Sequence, residues 1–294
     1  RKIMITPFDY AYLYWVLPVA LVNEAGDLTG WDFARVDRYR LTKKLSQPGE
    51  PDVYDAETTA FLNEFESRVQ PFADKNVKEI KVFTKNADDT VKTHVFTRAD
   101  KLKLMFHAKR AIWGKGTPEQ CQITLQLALR YGLARDIYEL RKYCEDGKIG
   151  LDCNGFVGTY MRDVLGRAVT DETPVNLLVS NGSPVKTIDE INRLNIYVLG
   201  FVDASGTVIA QKSGKDWAHI MITVPTPLNL IDVYKGKIYK RVEVVESTGE
   251  KGLVRSDYTL LEAETVKGKE TGVFRVYRGS KNEEMRVRIA RVWV

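Results

Sequence analysis

Cysteine and histidine are scarce in this chain of 294 residues, three of each, and no two cysteines form a C-x-x-C pair. The histidines are scattered as well, so the sequence offers no metal-ligand spacing and argues against a zinc enzyme. No cofactor motif is present either. An odd cysteine count leaves two readings. In an oxidising compartment Cys121 and Cys144 pair through a helical hairpin and Cys153 stays free; in a reducing one all three are thiols. Long apolar runs are also missing: residues 11–22 are apolar, but Pro18 interrupts them and they are too short to span a bilayer. That stretch reads as core, and no transmembrane segment is expected. The net charge is only +5, from 44 basic and 39 acidic residues. These are interleaved along the chain, without the basic stripe of a nucleic-acid binder, so no nucleic-acid partner is expected. Internal repeats and low-complexity stretches are absent.

What remains is a chain with 44% hydrophobic and 28% charged residues, long enough for two domains with separate cores. Organisation changes near residue 108. Residues 1–108 read as a mixed α+β region: an aromatic stretch over 8–31, a loop over 46–51, an amphipathic helix over 55–69 and a hairpin over 77–97 that turns at Asn86-Ala87-Asp88-Asp89. Its role is a structural cap or a substrate-presenting, wall-binding region. Residues 109–294 run helices first and strands after. A helical run covers 120–143, and Thr187-Ile188-Asp189-Glu190 fits a capping box. Strands follow over 196–202, 207–211, 217–224, 242–246, 272–278 and 285–294.

The most informative passage is Asp152-Cys153-Asn154-Gly155-Phe156-Val157. The apolar positions Phe156, Val157, Tyr160, Met161, Val164 and Leu165 follow a helical period, and Gly166 ends it. Upstream, Glu145-Asp146-Gly147-Lys148-Ile149-Gly150 reads as a surface loop. Cys153 therefore stands at the first turn of a helix, where unpaired N–H groups and the helix dipole favour a thiolate. A cysteine packed under a helix is the competing reading. Downstream, Trp217-Ala218-His219-Ile220-Met221-Ile222-Thr223-Val224 is a strand-like run carrying a histidine.

The string D-C-N-G-F-V resembles the D-C-S-G-[FL]-[VT] signature of the NlpC-type papain-like cysteine peptidases of bacterial cell walls, relatives of the CHAP amidases. A-H-I-M-I is similar to their G-H-V-G-I histidine strand, and the likeness covers residues 109–294. It implies an α+β fold with a papain-like catalytic domain, N-terminal helices packed on an antiparallel sheet. It also implies Cys153 as nucleophile and His219 as base. Glu246, in Val244-Val245-Glu246-Ser247, falls where the family orients the imidazole, with Asn229 and Asp232 as competitors. Asp152, Trp113 and Trp217 are the implied substrate contacts. In Ala111-Ile112-Trp113-Gly114-Lys115-Gly116, Ala111 occupies the place of the family's tyrosine, which leaves that role unassigned. The implied reaction is cleavage of an amide in peptidoglycan stem peptides through a thioester. A related amidase or acyltransferase, or a non-catalytic wall-binding or phage-tail module, are the alternatives. The chain begins at Arg1, as a processed exported protein would, so a periplasmic or wall-associated location is expected, with a cytoplasmic one still open. Oligomeric state is not legible. His94 reads as a surface strand residue and His107 as a residue of the cleft rim.

Overall fold

The computed structural model describes residues 5–40, 54–169, 172–210 and 218–293. The expected loop over 46–51, Trp217, and the ends of the strands expected at 207–211 and 285–294 lie outside the described residues. The protein is mixed α+β, 31% helical and 36% strand, with antiparallel sheets. It divides into two compact units, one of Tyr12–Asp152 with Gly249–Gly252, the other of Arg1–Ala11, Cys153–Thr248 and Leu253–Val294. The first helix, α1 (Pro7–Trp15), is shared between them. Thr6 starts it: its hydroxyl accepts from the Asp9 N–H at 3.1 Å, and Asp9 accepts in return from the Thr6 N–H at 3.3 Å.

In the first unit, β1 (Leu17–Val22) and β2 (Leu28–Ala34) form a hairpin. The helix α2 (Ala56–Arg68) is capped by Asp55, which accepts from the Thr58 N–H at 3.0 Å. A second hairpin, β3 (Glu79–Lys85) and β4 (Val91–Thr97), precedes α3 (Lys101–Ile112), α4 (Pro118–Arg130) and α5 (Ile137–Glu145). The single helix expected over 120–143 is therefore two. Gly132, at φ +73°, takes the left-handed turn that ends α4, and the Leu133 N–H closes back on the Ala128 carbonyl at 2.9 Å.

The boundary also differs from residue 108, for a local reason. Two buried glutamines of α4 satisfy the open side of β3. Gln122 accepts from the Lys85 N–H at 2.7 Å and donates to the Lys85 carbonyl at 2.9 Å, while Gln126 accepts from the Phe83 N–H at 2.9 Å. These bonds tie α4 to the hairpin that precedes it, and buried backbone groups require such partners.

The second unit holds α6 (Cys153–Asp163), β5 (Ser183–Pro184), β6 (Ile196–Phe201), β7 (Ile220–Thr223), β8 (Ile231–Tyr234), β9 (Lys237–Thr248), β10 (Gly252–Val266), β11 (Lys269–Arg278) and β12 (Glu283–Trp293). The strand order is β10-β11-β12-β6-β7-β9-β8, with β5 on β12 and a further pairing of β10 with β9. Six strands thus close on themselves, which removes the edges that an open sheet would expose. The segment expected as a strand from Thr207 makes only an isolated bridge, Val208 to Val202. Two tight turns build the hairpins: Lys235-Gly236 between β8 and β9, and Lys267-Gly268 between β10 and β11, all four residues at positive φ.

Alternate residues fill the ring: Tyr197, Leu199 and Phe201 of β6, Met221 of β7, Val244 of β9, Tyr258 and Leu260 of β10, Phe274 and Val276 of β11, Val287 and Ile289 of β12. Outside it, α6 lies against β7 and β9. Phe156, Val157, Tyr160 and Met161 of α6 are fully buried, and Tyr10 of α1 packs on Phe156 and Tyr160, ring centroids 5.9 and 5.5 Å apart. The Tyr160 hydroxyl donates to the Ile5 carbonyl at 2.9 Å. Among the described residues, no helix is long and apolar enough to cross a membrane.

Candidate active site

Cys153 is the first residue of α6, so its backbone N–H is among those without a partner inside the helix. His219 immediately precedes β7, and Glu246 lies on β9. All three belong to the second unit. His219 Nε2 is 2.6 Å from Glu246 Oε2, and the imidazole is also hydrogen-bonded to Cys153. With Nε2 committed to the carboxylate, Nδ1 is the ring nitrogen left for the thiol. The Asn154 amide oxygen is 3.9 Å from Cys153 Sγ.

These groups are buried, with Cys153 4%, His219 9% and Glu246 1% exposed. Burial works against a charged imidazole, but the hydrogen bonds and charges of Cys153 and Glu246 outweigh it and lift the His219 pKa from 6.5 to about 9. Burial also works against a charged carboxylate at Glu246. There the hydrogen bond and charge of His219, the Arg278 charge and a hydrogen bond from Ser256 prevail, and the pKa falls from 4.5 to about 2. The arrangement is a thiol, a base that retains its proton at neutral pH, and a carboxylate that fixes the base.

Of the competitors for the third position, Asp232 on β8 is taken by Thr259, whose hydroxyl donates to it at 2.6 Å. Asn229 lies in the loop before β8 and lines a small crevice with Tyr197 and Lys240. Glu246 is the residue bonded to His219.

Asp152 and Trp113, read as substrate contacts, fall in the other unit. Asp152 is buried and paired with Lys115 at 3.1 Å, and its N–H donates to the Gly114 carbonyl at 2.9 Å. Gly114 sits at φ +75°, where a Cβ would come within 2.3 Å of the Arg40 carbonyl oxygen. Trp113 follows α3 and stacks on Tyr54, centroids 4.6 Å apart. Both residues have structural partners in their own unit. Ala111 is fully buried, and a Cβ on Gly116 would reach its Cα at 2.7 Å, so packing occupies the place of the family's tyrosine.

Cys121 and Cys144 are free, buried thiols, which overturns the pairing considered for an oxidising compartment. Burial pushes both upward in pKa, Cys144 to about 12. His94 is partly buried and not a surface residue: its Nε2 is 2.9 Å from the Thr84 hydroxyl and 3.3 Å from Glu119. His107, on α3, is half-buried in the same unit, and burial is the first cause of its lowered pKa. Among the described residues no group of three or more ligating side chains is placed to hold a metal ion.

Sequence reasoning missed Tyr258, Arg278 and Phe201. The Tyr258 hydroxyl and the Arg278 guanidinium both donate to Glu246 Oε2, at 3.1 and 3.0 Å. Phe201 sets its ring edge-on to His219, 5.1 Å between centroids. One signal was legible: Arg278 stands two residues beyond Val276 and four beyond Phe274, on the apolar side of an alternating strand. No protein-family model, curated protein or solved structure matches the chain.

Proposed function

We propose that the protein is a cysteine hydrolase that cleaves an amide bond in peptidoglycan stem peptides and acts outside the cytoplasm, in the periplasm or wall. One observation carries the reading: Cys153 at a helix N-terminus shares His219 with a buried carboxylate. The choice of substrate rests on the sequence resemblance alone. In the reaction, Cys153 Sγ attacks the amide carbon and its proton resides on His219 Nδ1. The carbonyl oxygen gains the negative charge at the tetrahedral stage, where the Cys153 N–H is one donor; such a donor is typically worth about 3–4 kcal/mol. His219 then gives its proton to the departing amine, leaving a thioester. Water, deprotonated by His219, hydrolyses the thioester and restores the thiol. Glu246 holds the ring orientation and stabilises its charged form.

Digesting purified muropeptides with wild-type protein and with Cys153→Ala, and weighing the fragments, tests the reading. Fragments with one cleaved amide in the wild type and none in the variant are expected. Identical digests from both would overturn it. A second reading, a non-catalytic wall-binding module, draws on the burial of the thiol, 4% exposed. It requires Cys153, Cys121 and Cys144 to react equally slowly with iodoacetamide near neutral pH.

A further inference from the structure

The side of Glu246 that faces away from Cys153 is built as closely as the side that meets His219. We propose that Arg278 is a positioning residue for His219, acting through Glu246: it shares the carboxylate oxygen that receives the imidazole and thereby sets how firmly the imidazole keeps its proton. The inference rests on the reading of Cys153 and His219 as a nucleophile and base pair.

Three donors from three parts of the chain converge on one atom, Glu246 Oε2: His219 Nε2 at 2.6 Å, Arg278 at 3.0 Å and the Tyr258 hydroxyl at 3.1 Å. Arg278 is only 7% exposed and closes β11. Its guanidinium lies between two rings, 6.0 Å from Phe201 and 5.9 Å from Tyr258, and Phe201 also touches the imidazole. A buried guanidinium held this way cannot follow solvent, and the carboxylate cannot rotate without losing it.

Every charged or titratable group facing the pair from the packed elements enters the balance. These are Cys153 from α6, Glu246 from β9, Tyr258 from β10 and Arg278 from β11. Glu283 of β12, 3.8 Å from Arg278, is 46% exposed and correspondingly screened. Near β6 the neighbour is the neutral Phe201. With Arg278 in place, Glu246 is neutralised whether or not His219 is protonated. The imidazole can then give up its proton without leaving a lone buried carboxylate. Without Arg278 the full carboxylate charge falls on the imidazole, which holds its proton to higher pH.

The test uses the full chain with ¹³C-labelled histidine, following the His219 titration by NMR and the Cys153 alkylation rate by mass spectrometry across pH. Wild type, Arg278→Met, Arg278→Lys, Tyr258→Phe and His219→Ala are compared. Arg278→Met is expected to move the His219 midpoint upward by about one pH unit. Arg278→Lys, which keeps the charge, should return most of that shift. Tyr258→Phe removes a single hydroxyl, should move the midpoint in the same direction by less, and decides the matter if Arg278→Met does not fold. A His219 midpoint unchanged in a folded Arg278→Met, or in Tyr258→Phe when it alone folds, overturns the proposal. Alkylation of Cys153 that is the same in His219→Ala as in wild type would instead overturn the nucleophile and base reading, while the His219 midpoints would still report on Arg278.

Discussion

At the scale of the residue, the proton on His219 organises the site. Its pKa, raised to about 9, means that the charged imidazole persists through neutral pH. Hydrolysis should therefore fall as pH rises through about 9, because the proton destined for the leaving amine is lost. A pH–rate profile measured on muropeptides, or on any amide found to be cleaved, checks the alkaline limb. The same shifts have a sign for stability. The His219 contribution is full below its ordinary 6.5 and is lost as pH climbs through 9, whereas the Glu246 contribution is present above 4.5 and is lost as pH falls through 2. His219→Ala should slow alkylation of Cys153 at neutral pH by about 10²-fold, and a rate equal to wild type would sink the prediction. Cys153 and His219 were legible in the sequence because both stand in short, ordered strings. Glu246 was one of three candidates, and only its distance to Nε2 separates it from Asp232 and Asn229.

At the scale of the element, α6 holds the nucleophile through its packing more than through its own helical propensity. Gly155 and Gly158 both lie within its eleven residues, and glycine costs about 0.8–1.0 kcal/mol relative to alanine in a helix interior. Tertiary burial of Phe156, Val157, Tyr160 and Met161 offsets that cost. Truncating Phe156→Ala should remove about 3–5 kcal/mol of stability, measured by denaturant unfolding, and a loss under 1 kcal/mol would show that α6 is held by other means. The helical period made α6 readable. So did the alternation of β6 and β11, and the Asp55 and Thr187 caps. The hairpin strands β8 and β10 were not read, although Lys235-Gly236 and Lys267-Gly268 mark their turns. Lysine before glycine is a weaker turn signal than asparagine or aspartate, because only the glycine is free of a steric cost at positive φ.

At the scale of the whole molecule, each unit builds its own core, and all three cysteines are buried as thiols. Protein denatured without reductant should titrate three thiols per chain; a count of one would mean that Cys121 and Cys144 are joined. The sequence by itself determined the α+β class, the helix that carries Cys153 and the strand at His219, since each depends on neighbours within a few residues. It could not place the boundary: α4 goes with β3 because Gln122 and Gln126 meet backbone groups about 40 residues away. Nor could it show that β10 pairs with both β9 and β11, since strand pairing is a contact between distant segments. That closure brings β9, β10 and β11 side by side, so that Glu246, Tyr258 and Arg278 meet over one carboxylate oxygen. Local pattern placed the thiol and its base, and only the closed ring of strands decided what stands behind them.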